Sequence, residues 1–216
     1  MLVLCSNGLS SENILKAISK RIKQYNTAAV VVTADHEYKE KNYHVNRVVG
    51  ELELLNLCVD ILDLDKIPAN DLLDYDVVEF IGGNPFYLLN SIREHNAIDI
   101  LKTLASTKVL IGWSASAFVF GPTLELVNMY SADMNFLGLK DLSGLNLTDV
   151  EVLPHYERFL KRFDSFEEKC QIYEKEHSVK VIRLNDGEGV FIDHGTIEIC
   201  RTVSCIAPIK GQTGLY

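Results

Sequence analysis

Along this chain, short runs of aliphatic and β-branched residues alternate with longer stretches whose apolar positions recur at spacings of three and four. The runs are "LVLC" (2–5), "AAVVVTA" (28–34), "VDILDL" (59–64), "DVVEFIGG" (76–83) and "KVLIGW" (108–113). Their near-continuous apolarity predicts strands covered on both faces. Between them, Ser11 to Tyr25 and His44 to Leu57 carry the helical period. Crossovers of that length join parallel neighbours, so the pattern predicts a mostly parallel, doubly wound α/β sheet flanked by helices.

Beyond Pro122 the period loosens, and "TLELVNMYSADMNFLGLKDLSGLNLTD" reads as loops and short strands. A charged stretch from His155 to His177 has the look of a helix. The runs "VKVIRL" (179–184), "GVFID" (189–193) and "TIEICR" (196–201) follow, and Asp193-His194-Gly195 marks a C-terminal β-hairpin. With no linker, repeat or low-complexity tract, residues 1–216 are expected to form one domain.

Composition narrows the classes. A hydrophobic share of 47% with 24% charged residues suits a globular protein, and no apolar run reaches bilayer-spanning length. A net charge of −9 without a Lys/Arg block argues against nucleic acid and anionic membrane as partners. The N-terminus lacks the basic start and long apolar run of a signal peptide, so a cytoplasmic location is expected. Five cysteines (Cys5, Cys58, Cys170, Cys200 and Cys205) without CxxC spacing suggest neither a disulfide framework nor structural zinc, and most read as buried thiols. The N-terminal "SNGLSSEN" lacks a dinucleotide or P-loop pattern, and Ser10 or Ser11 reads as a helix N-cap. No cofactor or metal is expected.

Candidate chemistry begins at "IGWSASAFVFGP" (111–122). Ser114 follows a strand end in a near match to the G-x-S-x-G nucleophile elbow, with Gly112 in place and Ser116 where the second glycine belongs. A serine nucleophile needs a base and an acid to orient that base. His155 in "VLPHYERF" stands after a strand end and a proline, on the rim expected for Ser114. Asp133 in "YSADMNF" and Asp186 in "RLNDGEG" are both candidate acids. The amides of Ala115 and of Gly83 in "FIGGNPFYLL" are candidate oxyanion donors, and Asn84 and Pro85 there also read as N-cap and first helical residue. Trp113 and Phe118 either line an acyl pocket or pack around the turn.

"FIGGNPFYLL", "GWSASA" and "LPHYE", in this order, together resemble the peptidase E (aspartyl dipeptidase) family of serine peptidases. The later "VIRLNDGEGVFIDHGTIEI" resembles that family's strand, acidic turn and hairpin, so the similarity runs from about Val77 to Ile199. The resemblance implies a fold of the class I glutamine amidotransferase type and a Ser-His-acid triad without metal, acting on small peptides. It matches Ser114 to the nucleophile, His155 to the base, Asp133 or Asp186 to the acid, and Gly83 with Ala115 to the oxyanion hole. Ser116 for glycine and Pro85 for threonine depart from the pattern. The arginine segment that binds the substrate carboxylate in aspartyl dipeptidases has no clear counterpart, and Arg158, Lys161 and Arg162 there read as helix-surface charges. The expected function is peptidase E-type hydrolysis of a small peptide or related amide. A non-catalytic binding member of the fold and an esterase are the alternatives, and a homodimer stays open.

Overall fold

The computed structural model describes residues 1–202. Five parallel strands, β1 (Leu2–Cys5), β2 (Thr27–Val31), β3 (Cys58–Leu62), β4 (Val77–Phe80) and β5 (Val109–Trp113), lie in the order β3-β2-β4-β5-β1. Two further strands, β6 (Glu151–Leu153) and β7 (Val181–Arg183), form a separate parallel pair. The hairpin strands β8 (Gly189–Asp193) and β9 (Thr196–Cys200) extend the main sheet antiparallel beside β1, making seven strands. The Asp193–Thr196 pair closes on His194 and Gly195, both at positive φ (45° and 77°), as the primed two-residue turn requires.

Alternation along the central strands sends Leu2, Leu4, Val31, Phe80 and Leu110 into one core and Val3, Cys5, Val30, Val77 and Ile111 into the other. These strands are buried on both faces, as their apolarity predicts. The edge strand β3 departs from that expectation, because Cys58, Asp60 and Ile61 are exposed. An edge strand lacks a neighbour on one side, and its apolar run was too short to reveal its position.

The helices are α1 (Glu12–Ser19), α2 (Val45–Glu53), α3 (Pro85–Glu94), α4 (Ile98–Thr107), α5 (Ala115–Phe120), α6 (Glu125–Tyr130), α7 (Tyr156–Arg162) and α8 (Phe166–His177). Ser11 caps α1, accepting from the Ile14 amide, and Asn84 caps α3 with Pro85 at its first turn. The stretch expected as one helix from 155 to 177 is two, broken where Ser165 takes φ 51°. The loose region after Pro122 holds the short α6, a 3-10 turn at Ala132–Met134 and a bridge between Thr123 and Ser143. Cys5, Cys170 and Cys200 are buried and Cys58 is exposed, while Cys205 lies outside the described residues. Among the described residues no helix is long and apolar enough to cross a membrane.

Because β4, β5 and β1 are neighbours, their carboxyl ends bring Gly82-Gly83, Ser114 and Ser6-Asn7 to one place. Ligands collect at such strand ends in open α/β sheets.

Candidate active site

Ser114 sits between β5 and α5 at φ 53°, ψ −115°, a backbone conformation that L-residues avoid. Its amide donates to the Cys5 carbonyl (3.1 Å), and its carbonyl accepts from Ala117 (3.1 Å) and Phe118 (3.3 Å). These bonds hold a turn that costs roughly 1–3 kcal/mol of backbone strain. The glycine that this close approach demands is Gly112: a Cβ there would lie 2.6 Å from the Phe120 ring. Ser116 needs no such freedom. It is fully buried, and its Oγ donates to the Ile81 carbonyl at 2.5 Å, linking the first turn of α5 to the end of β4. A Cβ is therefore accommodated where the elbow pattern expects glycine.

His155 and Asp186 are 31 residues apart, and the β6–β7 ladder joins them. Leu153 pairs with Arg183, so the chain beyond each strand emerges on the same side. His155, buried and in the left-handed region (φ 56°), places Nδ1 2.6 Å from Asp186 Oδ1. Burial pushes the Asp186 carboxyl up, but the bond from His155, its charge, the bond from Ser6 and the Arg158 charge outweigh this and hold it at about 2. An ionised Asp186 accepts a hydrogen bond from Nδ1–H, and this tautomer leaves the Nε2 lone pair free. Arg158 Nη1 lies 3.2 Å from the same Nδ1 and 3.3 Å from Asp186 Oδ2. Two N–H groups cannot bond each other, so its hydrogen bond is the one to Asp186.

Ser6 completes the pair. Its Oγ accepts from the His155 amide (2.8 Å) and donates to Asp186 Oδ1 (3.0 Å), and the residue is fully buried. The sequence reading attached no function to the segment "SNGLSSEN". Its spacing holds no signal, since Ser6 and His155 are 149 residues apart.

Ser114, Ala115, His155, Gly83 and Asp133 all line one cleft of about 390 Å³. A Cβ at Gly83 would fall 2.2 Å from the Ala34 carbonyl oxygen, so only glycine fits. Ala115 is the first residue of α5, and its amide has no acceptor within the helix. Asp133 reaches the cleft wall from the 3-10 turn, but its hydrogen bond is with Ser131 Oγ (3.4 Å) and not with His155. Of the two candidate acids, the fold thus brings only Asp186 to the histidine. Arg158 and Arg162 also line the cleft, so they are more than helix-surface charges, and Lys161 does not line it. Trp113 and Phe118 are almost wholly buried and also line the cleft.

His44 was missed, having read as a helix start. It lines the cleft with its ring edge-on to Trp113 at 5.3 Å. Burial, and then the charges of Arg47, Arg158 and His155, lower its pKa, which favours the neutral form. Glu79 of β4 is fully buried with neither carboxyl oxygen hydrogen-bonded, and Trp113 Nε1 is also without a partner. Burial, then the neighbouring Glu51 charge, raises the Glu79 pKa well above the usual range despite Arg47. Burial therefore favours the neutral form of Glu79.

Fold and site together define a doubly wound α/β protein whose strand-end cleft holds a strained serine and a buried histidine hydrogen-bonded to a partly exposed aspartate. The chain belongs to peptidase family S51, whose family model matches residues 2–200. It is 28% identical over 176 residues to an uncharacterized peptidase of Listeria monocytogenes, a match covering 78% of this chain and 83% of that protein. It is 31% identical over 147 residues to peptidase E of a Nostoc species, covering 67% of this chain and 56% of the relative. The match to peptidase E of a Shewanella species (29% identity) covers 55% of this chain and 48% of that protein, so the aligned segment spans about half of these peptidase E chains. The crystal structure of a proposed peptidase E protein from Listeria monocytogenes has the same fold, with a TM-score of 0.74 at 24% identity over 93% of this chain and 97% of that one.

Proposed function

We propose that this member of a peptidase family is a serine peptidase that hydrolyses a short peptide or related amide through an acyl-enzyme. The observation that carries the reading is the strained backbone of Ser114, set on the wall of the cleft that also holds His155 hydrogen-bonded to Asp186. A serine held in such a turn exposes its hydroxyl to substrate.

In this mechanism His155 Nε2 takes the Ser114 proton as Oγ attacks the scissile carbonyl carbon. The Gly83 and Ala115 amides receive the developing oxyanion, and Asp186 stabilises the imidazolium through Nδ1–H. As the C–N bond breaks, His155 returns the proton to the leaving amine. Water, deprotonated by the same nitrogen, then releases the acid and regenerates Ser114.

The test is Ser114→Ala beside the native protein, on a panel of short peptides and p-nitrophenyl esters, with a fluorophosphonate probe as an independent readout. The expected result is stoichiometric labelling of Ser114 and a loss of at least about a thousandfold in kcat in the variant. Unchanged hydrolysis by Ser114→Ala, or a folded native protein that takes no label, refutes the assignment. Esters cleaved far faster than every peptide would make it an esterase instead.

A further inference from the structure

The cleft wall falls into two chemical parts. Asn7, Asn42 and His44 give one part polar groups. Phe118 of α5, Val127 and Tyr130 of α6, Met134 of the 3-10 turn, Phe159 of α7 and Phe163 just beyond it make the other apolar. That apolar part is built on Phe166, a buried ring that does not itself line the cleft. The Tyr130, Phe159 and Phe163 rings lie 5.0, 5.6 and 5.8 Å from it and 5.1 to 5.6 Å from one another. Each of these three is only half-buried and lines the cleft, so a hydrocarbon group entering there takes aromatic surface out of water.

The apolar wall begins at the reacting groups. Phe118 stands one helical turn past Ser114, whose carbonyl accepts from its amide, and the Phe159 ring is edge-on to His155 at 5.5 Å. Asn84 donates Nδ2 to the Met134 carbonyl at 2.8 Å, which ties this wall to the Gly83 turn. In a peptide the side chain of the acyl residue springs from the Cα next to the scissile carbonyl carbon. With the carbonyl oxygen received by Gly83 and Ala115, that side chain starts beside the tied turn.

The charges nearby do not make a seat for an acidic side chain. Arg158 is hydrogen-bonded to Asp186. Arg162 is exposed, with its guanidinium over the Phe163 ring at 5.1 Å, where water and salt screen it. Asp133, the one acidic residue of the cleft wall among the described residues, repels a second carboxylate.

We infer that Tyr130, Phe159 and Phe163 form a specificity subsite that takes an apolar side chain, aromatic or large aliphatic, on the acyl residue of the substrate, in place of an acidic one. The inference rests on the reading of Ser114 as nucleophile and Gly83 as oxyanion donor, because these orient the peptide. It makes the aromatic wall a determinant of which peptide is cleaved and gives it no part in moving the proton.

Calorimetric titration of Ser114→Ala with Phe-Ala, Ala-Phe, Ala-Ala and Asp-Ala tests it, repeated with Phe163→Ala or Phe163→Leu added. Phe-Ala is expected to bind at least about tenfold more tightly than the other three, the low end for burying a phenyl group. Phe163→Ala should cut the advantage of Phe-Ala over Ala-Ala by at least about threefold, and Phe163→Leu, which keeps an apolar side chain, by less than about twofold. Tighter binding of Ala-Phe or Asp-Ala, equal binding of all four, an advantage that Phe163→Ala leaves intact, or no binding at all overturns the inference. A melting curve checks that each variant is folded, and if Phe163→Ala is not, the ranking of the four peptides on Ser114→Ala decides. Hydrolysis of the same peptides by native protein is read separately. Preferential binding of Phe-Ala without any hydrolysis would sink the peptidase reading and leave the subsite standing. Hydrolysis led by Asp-Ala would keep the peptidase reading and overturn the subsite.

Discussion

Removing the Ser6 hydroxyl is the sharpest probe of how the site is held. In Ser6→Ala the buried His155 amide loses its acceptor and Asp186 loses a donor. An unsatisfied buried N–H costs about 1–3 kcal/mol. The bond to Asp186 is one to a charged group, but that side chain is 35% exposed and solvent screening reduces its worth to about 1 kcal/mol or less. The total is about 1–4 kcal/mol, a large part of the roughly 5–15 kcal/mol that holds a domain together. Denaturant titration should show the midpoint falling with the slope unchanged. Asp186 should also titrate higher than about 2, having lost one of the bonds that depress it. Its folded pKa lies below the ordinary 3.8, so its stabilising contribution is complete above about pH 4 and is lost as pH falls through about 2. The variant should lose less stability than native protein across that acid window. If the proposed chemistry is right, kcat drops while KM holds, since Ser6 touches the base and not the substrate. A midpoint shift worth less than about 0.5 kcal/mol at neutral pH would refute the claim that Ser6 braces the pair.

Two other substitutions test the surroundings. Ser116→Ala should destabilise by about 1–2 kcal/mol, because it leaves the buried Ile81 carbonyl unpaired, and Ser116→Gly by about 1 kcal/mol more for the added helix cost. A Ser116→Gly protein more stable than native by thermal melting would contradict the packing described. Glu79 has a folded pKa above its unfolded value, so the protein should lose stability as pH rises above the ordinary carboxylate range of about 4.5. Glu79→Gln should flatten that decline above about pH 4.5, and an unaltered pH–stability curve would show that burial of Glu79 does not favour its neutral form.

Much of the nucleophile's setting was legible because each feature is local. A serine at a strand end, Gly112 under an aromatic ring, and Gly-Gly-Asn-Pro before a helix are choices that backbone geometry imposes on neighbouring residues. The same locality misled at Ser116. The pattern says glycine there, and only the fold shows an Ile81 carbonyl within reach of the hydroxyl. The break between α7 and α8 was invisible because a positive φ at Ser165 has no residue signature comparable to glycine's.

The sequence by itself determined the layered α/β class, the hairpin, the turn at Ser114 and the candidacy of His155, since periodicity and turn chemistry are written in adjacent residues. Tertiary structure alone decided that Asp186 and not Asp133 meets the histidine, that Ser6 braces both, and that His44, Arg158 and Arg162 face the cleft. Strand order and register set these relations. They depend on how distant segments pair, and nothing in the spacing of residues 31 or 149 positions apart records it.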